Sequence, residues 1–168
     1  MTRYPRLRMR RTLREQDTSS TWQAHAIQQS DATALGALML AAYRGTADDE
    51  GESEADAVAE VERTLAGDYG PLLEDCSFVV HEGSRIVGAS MVTLWEGDPF
   101  LTYVVVHPDM KRRGLGTFLM TTSGNALVTA GYSQLDLFVT EENEPAVTLY
   151  RKLGFQVVDR LTHPFIES

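Results

Sequence analysis

The sequence predicts an α+β fold with a mixed, mostly antiparallel central sheet. Two β-rich runs, Ser77 to His81 and Arg85 to Leu94, are joined through Glu82-Gly83-Ser84 and read as a hairpin. A further run, Phe100 to Val106, passes through a short loop into a helical pattern from Gly114 to Ala130, and then into another strand, Leu135 to Thr140. That β-α-β order makes the two flanking strands parallel neighbours in one sheet.

The remaining elements follow in order. Leu7 to Leu13 alternates apolar residues with arginine, as an exposed or edge strand does. Asp17 to Thr21 is polar and linker-like, and Trp22 to Gln28 reads as a short strand. Ser30 is a candidate N-cap for a helix whose apolar face is Leu35, Leu38, Met39, Ala42 and Tyr43. The acidic stretch Gly45 to Glu54 has no periodicity and reads as a loop. Ser53 with Asp56 resembles a capping box, Val58, Val61 and Leu65 continue a second helical face, and Gly67 stops it. In the helix from Gly114, the residues Leu115, Phe118, Leu119, Ala126 and Leu127 share one side, and Gly131 ends it. Asn143 to Leu153 is the last helix, with Gly154 as its stop, and Phe155 to Leu161 the last strand. About four helices therefore flank the sheet.

At 168 residues the chain has the length of one domain, enough to bury a core without staples. Residues 1–21 form a basic strand or tail, and 22–168 the folded domain. Hydrophobic residues are 43% and charged residues 23%, the balance of a soluble globular protein. No apolar run approaches the roughly 20 residues that span a bilayer. No apolar stretch follows the first arginines as a secretory signal requires. With a single cysteine, Cys76, no internal disulfide forms, and a cytoplasmic location is expected. The four histidines show no metal-ligand spacing, so no metal is expected.

The net charge is −9, unevenly placed: six of fifteen Lys and Arg lie in the first fourteen positions. From Glu15 onward nine basic residues face twenty-four acidic ones, which leaves little material for a nucleic-acid surface and suits cationic acceptors. Arg3 to Arg14 can also be read as a nucleic-acid or membrane arm. Its alternation with Leu7, Met9 and Leu13 favours the strand, and neither nucleic acid nor membrane is expected as a partner.

The segment richest in chemistry is Val104-Val105-Val106-His107-Pro108-Asp109-Met110-Lys111-Arg112-Arg113-Gly114-Leu115-Gly116-Thr117. A buried strand leads into a basic, glycine-containing loop that opens onto a helix N-terminus. Free N–H groups and the helix dipole there favour an anion, Gly114 and Gly116 permit close approach of a ligand, and Lys111, Arg112 and Arg113 add positive charge. In physical terms this is a pyrophosphate site, though a solvated turn has the same composition. It is neither a Walker loop nor a dinucleotide G-x-G-x-x-G.

The segment resembles the acetyl-CoA motif of the GNAT superfamily of N-acetyltransferases, Arg/Gln-x-x-Gly-x-Gly/Ala, standing here as Lys111-Arg112-Arg113-Gly114-Leu115-Gly116. A second block, Asn143 to Phe155, is similar to that family's Asn-x-x-Ala-x-x-Leu-Tyr-x-x-x-Gly-Phe. The resemblance covers roughly Ser77 to Leu161. It implies a GNAT-like sheet whose parallel central strands splay at the cofactor site, with acetyl-CoA as co-substrate and an amine acceptor, small molecule or protein. It also implies that backbone amides from Lys111 to Thr117, Leu115 included, hold the pyrophosphate, and that Val104 and Val106 pair with the pantetheine arm. By the same resemblance Asn143 would hydrogen-bond the arm or a water, and Tyr150 would protonate the leaving thiolate. Asn143 as a plain N-cap and Tyr150 as a core aromatic are the alternatives.

The base is less legible. An amine of pKa about 10.4 is neutral in only about 1 of 2,500 molecules at pH 7, a cost of about 4.6 kcal/mol. Many family members carry a glutamate about six residues ahead of the proline, where this chain has Thr102-Tyr103. The nearest upstream acids are Glu96 and Asp98, with Glu96 the candidate base and Glu141 a lesser one. The acidic loop Asp48-Asp49-Glu50-Gly51-Glu52 borders the acceptor side in the family and could draw a cationic substrate or simply be solvated. A non-catalytic acyl-CoA sensor is the competing function. Finally, family members commonly have two strands after the Gly-Phe turn and this chain has room for about one before Pro164. The strand-like Arg6 to Leu13 is expected to cover a sheet edge, in its own chain or across a homodimer, with Arg11 interrupting its apolar face.

Overall fold

The computed structural model describes residues 4–18, 20–46 and 49–163. Seven strands, β1 (Arg6–Thr12), β2 (His25–Ala26), β3 (Phe78–Glu82), β4 (Arg85–Trp95), β5 (Asp98–Val106), β6 (Gln134–Thr140) and β7 (Gln156–Leu161), form one sheet. Their order is β2-β3-β4-β5-β6-β1-β7. Helices α1 (Ala32–Tyr43), α2 (Glu54–Ala66), α3 (Leu115–Thr129) and α4 (Glu144–Lys152) complete the fold. Every pairing is antiparallel except β5 with β6, which are parallel neighbours as expected from the β-α-β order.

Two apolar layers hold the sheet. On one face, Leu35, Leu38 and Met39 of α1 and Val61 and Leu65 of α2 pack on Met91 and Val105. On the other, α3 lays Leu115, Leu119, Met120 and Leu127 over β3–β6, and α4 adds Ala146, Val147 and Tyr150 beside Phe155. Gly88 sets how close α3 can come. A Cβ there would stand 2.9 Å from Leu115 Cδ2 and Leu119 Cδ1, so the first turn of α3 is seated on bare backbone. Among the described residues no helix is long and apolar enough to cross a membrane.

Local signals placed the helix ends well. Ser53 and Asp56 close their capping box, with Asp56 N–H donating to Ser53 Oγ at 3.1 Å and Ser53 N–H to Asp56 Oδ2 at 3.0 Å. Gly67 ends α2 in the left-handed region at φ 89°. Ser30 is not the cap of α1. It lies inside a 3-10 turn, Gln29–Asp31, because Asp31 reaches back to accept the Gln28 N–H at 2.8 Å and places the cap two residues earlier, at Gln28. The strand expected over Trp22 to Gln28 shrinks to the two residues of β2.

The N-terminal segment departs furthest from expectation. It is a strand of its own chain, but it covers no edge: β1 lies between β6 and β7 and pairs with both. Leu7 and Met9 are buried toward α3 and α4, and Arg11 joins them at 8% exposure instead of interrupting the face. The opposite face of β1 closes around a fully buried carboxylate, Asp136 of β6. Arg8 Nε donates to Asp136 Oδ2 at 2.8 Å, and Arg10 Nε and Nη2 donate to its two oxygens at 2.8 and 3.0 Å. Phe100 and Phe138 stack 5.1 Å apart beside them, with Arg6 over Phe138 at 4.4 Å and Arg8 over Phe100 at 4.8 Å. The positions Arg3, Asp48 and Pro164 lie outside the described residues.

Candidate active site

The site begins where β5 and β6 part. Their ladder has one pair, Phe100 with Asp136. Immediately beyond it β5 carries a bulge: Met91 of β4 faces Tyr103 while Val92 faces Leu101, which leaves Thr102 as the extra residue. A bulge bends and twists its strand, and here it turns the second half of β5 away from β6. His107 N–H donates to Val87 O at 2.8 Å on the β4 side. Backbone groups alternate sides along a strand, so those of Val106 and Val104 point to the open β6 side. An unpaired strand edge of this kind can take an extended ligand as an added strand.

The edge runs directly into the basic loop. A 3-10 turn, Pro108–Met110, is held by Met110 N–H to His107 O at 2.9 Å and by Asp109 N–H to His107 Nδ1 at 3.1 Å. Arg112 then takes φ 66° and Gly114 φ 78°. A left-handed conformation costs a residue with a Cβ about 1–2 kcal/mol, and such strain concentrates at ligand-binding loops. The first helical bond of α3 is Phe118 N–H to Gly114 O at 2.9 Å. Among the described residues no acceptor takes the N–H groups of Arg112, Arg113, Gly114, Leu115, Gly116 or Thr117. Lys111, Arg112 and Arg113 are exposed around this cradle. A Cβ on Gly116 would meet Val106 Cγ2 at an ordinary 3.6 Å, and one on Gly114 would meet nothing within 4 Å. The protein's own packing therefore does not require Gly116 to be bare. The cradle is a cationic set of free donors, which fits a pyrophosphate.

On the other side of the opening stands α4. Asn143 caps it, accepting the Ala146 N–H at 3.3 Å. Tyr150 is half-buried, its ring 5.8 Å from Phe155 in an edge-on contact. Glu96 sits in the exposed β4–β5 hairpin turn at φ 52°, eight positions before Val104 (104 − 96) and at the opposite end of β5 from the loop. Glu141 is engaged by Arg160, whose Nε and Nη2 donate at 3.0 and 2.9 Å. Those hydrogen bonds hold its carboxyl below the usual range. In the acidic loop, Asp49 accepts the Gly45 and Gly51 N–H groups at 2.9 Å each and Glu52 accepts that of Glu50 at 3.2 Å, so these carboxylates brace their own loop. Cys76 is buried, and desolvation with Asp75 nearby pushes its thiol up to about 11, which keeps it inert.

A group that sequence reasoning missed lies on the α1/α2 side of the bulge. Tyr103 Oη donates to Glu60 Oε1 of α2 at 3.0 Å, and Arg63 Nη2 donates to Glu60 Oε2 at 2.6 Å. Tyr69 hydrogen-bonds the same carboxylate. Burial pushes Glu60 up, but the bonds from Arg63, Tyr69 and Tyr103 outweigh it and hold the carboxyl below its ordinary value. Burial first, and the Glu60 charge second, push the Tyr103 phenol far up, so it stays protonated and donating. Glu60 keeps 28% of its side chain exposed, so the cluster is reachable. Forty-three positions separate the two residues, and only the α2–β5 packing brings them together.

Known proteins share this architecture. A family model described as an acetyltransferase (GNAT) domain matches residues 74–157. An acetyltransferase of Pectobacterium atrosepticum is 29% identical over 103 residues, which is 61% of this chain and 70% of the relative. A GCN5-related N-acetyltransferase from Sphaerobacter thermophilus superposes with a TM-score of 0.71 at 18% identity. The match covers 98% of this chain and 55% of that one, so the present chain spans about half its length. The PaiA N-acetyltransferase of Thermoplasma acidophilum, solved with coenzyme A, superposes at 0.64 with 15% identity, over 86% of this chain and all of that one. A family match over half the chain, lying on the splayed strands and the cradle just described, leads to one conclusion: the chain belongs to the GNAT family of acetyltransferases.

Proposed function

We propose that this acetyltransferase is an N-acetyltransferase that moves an acetyl group from acetyl-CoA to an amine by direct attack within a ternary complex. The observation that carries the reading is the continuity of an unpaired strand edge, Val104 to Val106, with a cradle of unused N–H donors at the start of α3. In this reading the free donors from Arg112 to Thr117 hold the pyrophosphate, the Lys111 N–H being taken by Pro108 O at 3.3 Å, and the Val104 and Val106 backbone holds the pantetheine arm. Asn143 and Tyr150 then flank the thioester. Acetyl-CoA supplies an activated acyl carbon and a thiolate leaving group. The lone pair of the neutral amine forms the carbon–nitrogen bond as the carbon–sulfur bond breaks, Tyr150 gives its phenolic proton to the sulfur, and the proton lost by the nitrogen returns through solvent to the Tyr150 oxygen. A phenol of ordinary pKa about 10 needs hydrogen-bond help to do so for a thiol near 8.5.

The acceptor amine approaches from the α1/α2 side. Tyr103 spends its proton on Glu60, which leaves its oxygen lone pairs free to accept from an amine N–H, and the Glu60 charge, shared with Arg63, polarises the phenol toward that role. We place Glu60, acting through Tyr103, ahead of Glu96 as the group that orients the amine. Glu96 stands at a hairpin tip on the order of 20 Å of strand away. No carboxylate lies on β5 beyond Asp98, the one feature that favours a non-catalytic acyl-CoA sensor. Incubation with acetyl-CoA and a panel of small amines and amine-bearing peptides, reading free thiol and acetylated product together, decides between the two. Amine-dependent thiol release is expected; tight acetyl-CoA binding with no turnover on any acceptor would favour the sensor.

A further inference from the structure

The acyl-transfer reading leaves one buried cation unused. Arg11 is the only lysine or arginine among the described residues that is buried, at 8% exposure. Its neighbours on β1, Arg8 and Arg10, share the Asp136 carboxylate on the opposite face. No carboxylate or carbonyl among the described residues lies within hydrogen-bond reach of the Arg11 guanidinium. A guanidinium has five N–H donors and cannot be neutralised by deprotonation, so burying it without an anion is costly. Burial first, and the nearby Arg14 cation second, work against the Arg11 charge.

The guanidinium is not sealed in. No side-chain polar atom among the described residues is both closed off from solvent and unbonded. Arg11 lines a cleft of about 410 Å³ together with Arg10, Arg14, Gln16, Gly154 and Gln156. Arg10 brings no free charge, being bound to Asp136, so Arg11 and Arg14 supply the positive field. The wall that carries Arg14 is pinned. Asn125 of α3 accepts the Gln16 N–H at 2.9 Å and donates to the Gln16 carbonyl at 2.8 Å, and Leu13 N–H donates to Ser133 O at 2.9 Å. Opposite it, Gly154 leaves the floor open: even a Cβ there would only just reach Arg11, at 3.9 Å. The cleft lies where Thr12 faces Gln134, at the start of β6, whereas the basic loop follows the far ends of the parallel strands. The six steps of β6 between them correspond to roughly 20 Å.

We propose that this cleft is a second anion site, separate from the cofactor cradle, that takes the carboxylate or phosphate group of a small metabolite between Arg11 and Arg14. A guanidinium fork with side-chain amides alongside matches either oxyanion. The volume falls in the range of small-molecule sites.

The test is an amide-resolved NMR titration of the whole chain with inorganic phosphate and, separately, succinate, each against sodium chloride of matched ionic strength. Saturable shifts are expected at the amides of Arg11 to Gln16 and Gly154 to Gln156. A response to phosphate alone identifies a phosphorylated ligand, to succinate alone a carboxylate, and to both a site for either group. Arg14→Gln, at an exposed position, should weaken the response about fivefold or more, and Arg11→Gln should abolish it. Arg11→Gln should also melt no lower than the wild type in chloride buffer, since it removes an unpaired buried charge. Shifts reproduced by sodium chloride, shifts confined to Lys111 to Thr117, or an unchanged response in Arg14→Gln would each overturn the proposal.

Discussion

In the proposed reaction Tyr150 and Glu60 divide the chemistry between the two sides of the splayed strands. Tyr150→Phe keeps the ring that packs on Phe155 and removes only the hydroxyl, so it should lower kcat by about 10- to 100-fold while acetyl-CoA binding changes little. Steady-state kinetics beside calorimetry checks this, and wild-type kcat across the pH range would leave Tyr150 as a packing residue. For Glu60→Gln the amide still accepts from Tyr103 but the charge is gone, so KM for the amine should rise more than kcat falls. The same variant carries a pH signature. The Glu60 carboxyl sits below its ordinary value in the folded protein. Its contribution to stability is therefore full above the unfolded value of about 4.3 and is lost as pH falls through the folded one. Melting curves should show the gap between wild type and Glu60→Gln holding down to about pH 4.3 and closing as the pH falls further, and a gap that persists unchanged well below that pH would contradict the assignment.

Among the elements, β1 carries the largest structural consequence. The family resemblance implies two strands after the Gly-Phe turn, and among the described residues one follows it, β7. The N-terminal strand fills the vacant lane, pairing with β6 through seven residues and with β7 on its other edge. It also brings the two guanidiniums that neutralise Asp136, and a fully buried carboxylate stripped of its partners costs about 3–5 kcal/mol. Deleting residues 1–12 should therefore abolish the cooperative thermal transition instead of trimming a tail. Loss of the transition, followed by circular dichroism, is the expected result, and a truncated chain that melts like the full one would show that β1 is dispensable.

For the molecule as a whole, legibility followed sequence distance. The Ser53–Asp56 capping box, the Gly67 stop and the loop leading to Gly114 were readable because each is decided within a few residues. So was the parallel β5–β6 pair, which the intervening helix forces. The position of β1 was not readable, because its partners are remote: Arg8 and Asp136 are 128 positions apart. A burial pattern of alternating arginines looks the same on an edge as in a lane whose outer face holds its own carboxylate. The Glu60–Tyr103 bond was hidden for the same reason, and Arg11, which looked like an interruption of an apolar face, is buried beside a cleft that only the pairing of β1 with β7 creates. The central claim, that acetyl-CoA is held where the open edge of β5 meets the N-terminus of α3, is tested most directly by calorimetric titration of acetyl-CoA into wild type and Gly116→Val. The protein itself has room for a Cβ at Gly116, with Val106 Cγ2 at 3.6 Å, so the variant should keep its melting temperature within a few degrees of wild type. The account predicts that affinity falls by about 100-fold or more as the branched side chain blocks the pyrophosphate's approach to the free N–H groups. Equal affinity in the two proteins would contradict it.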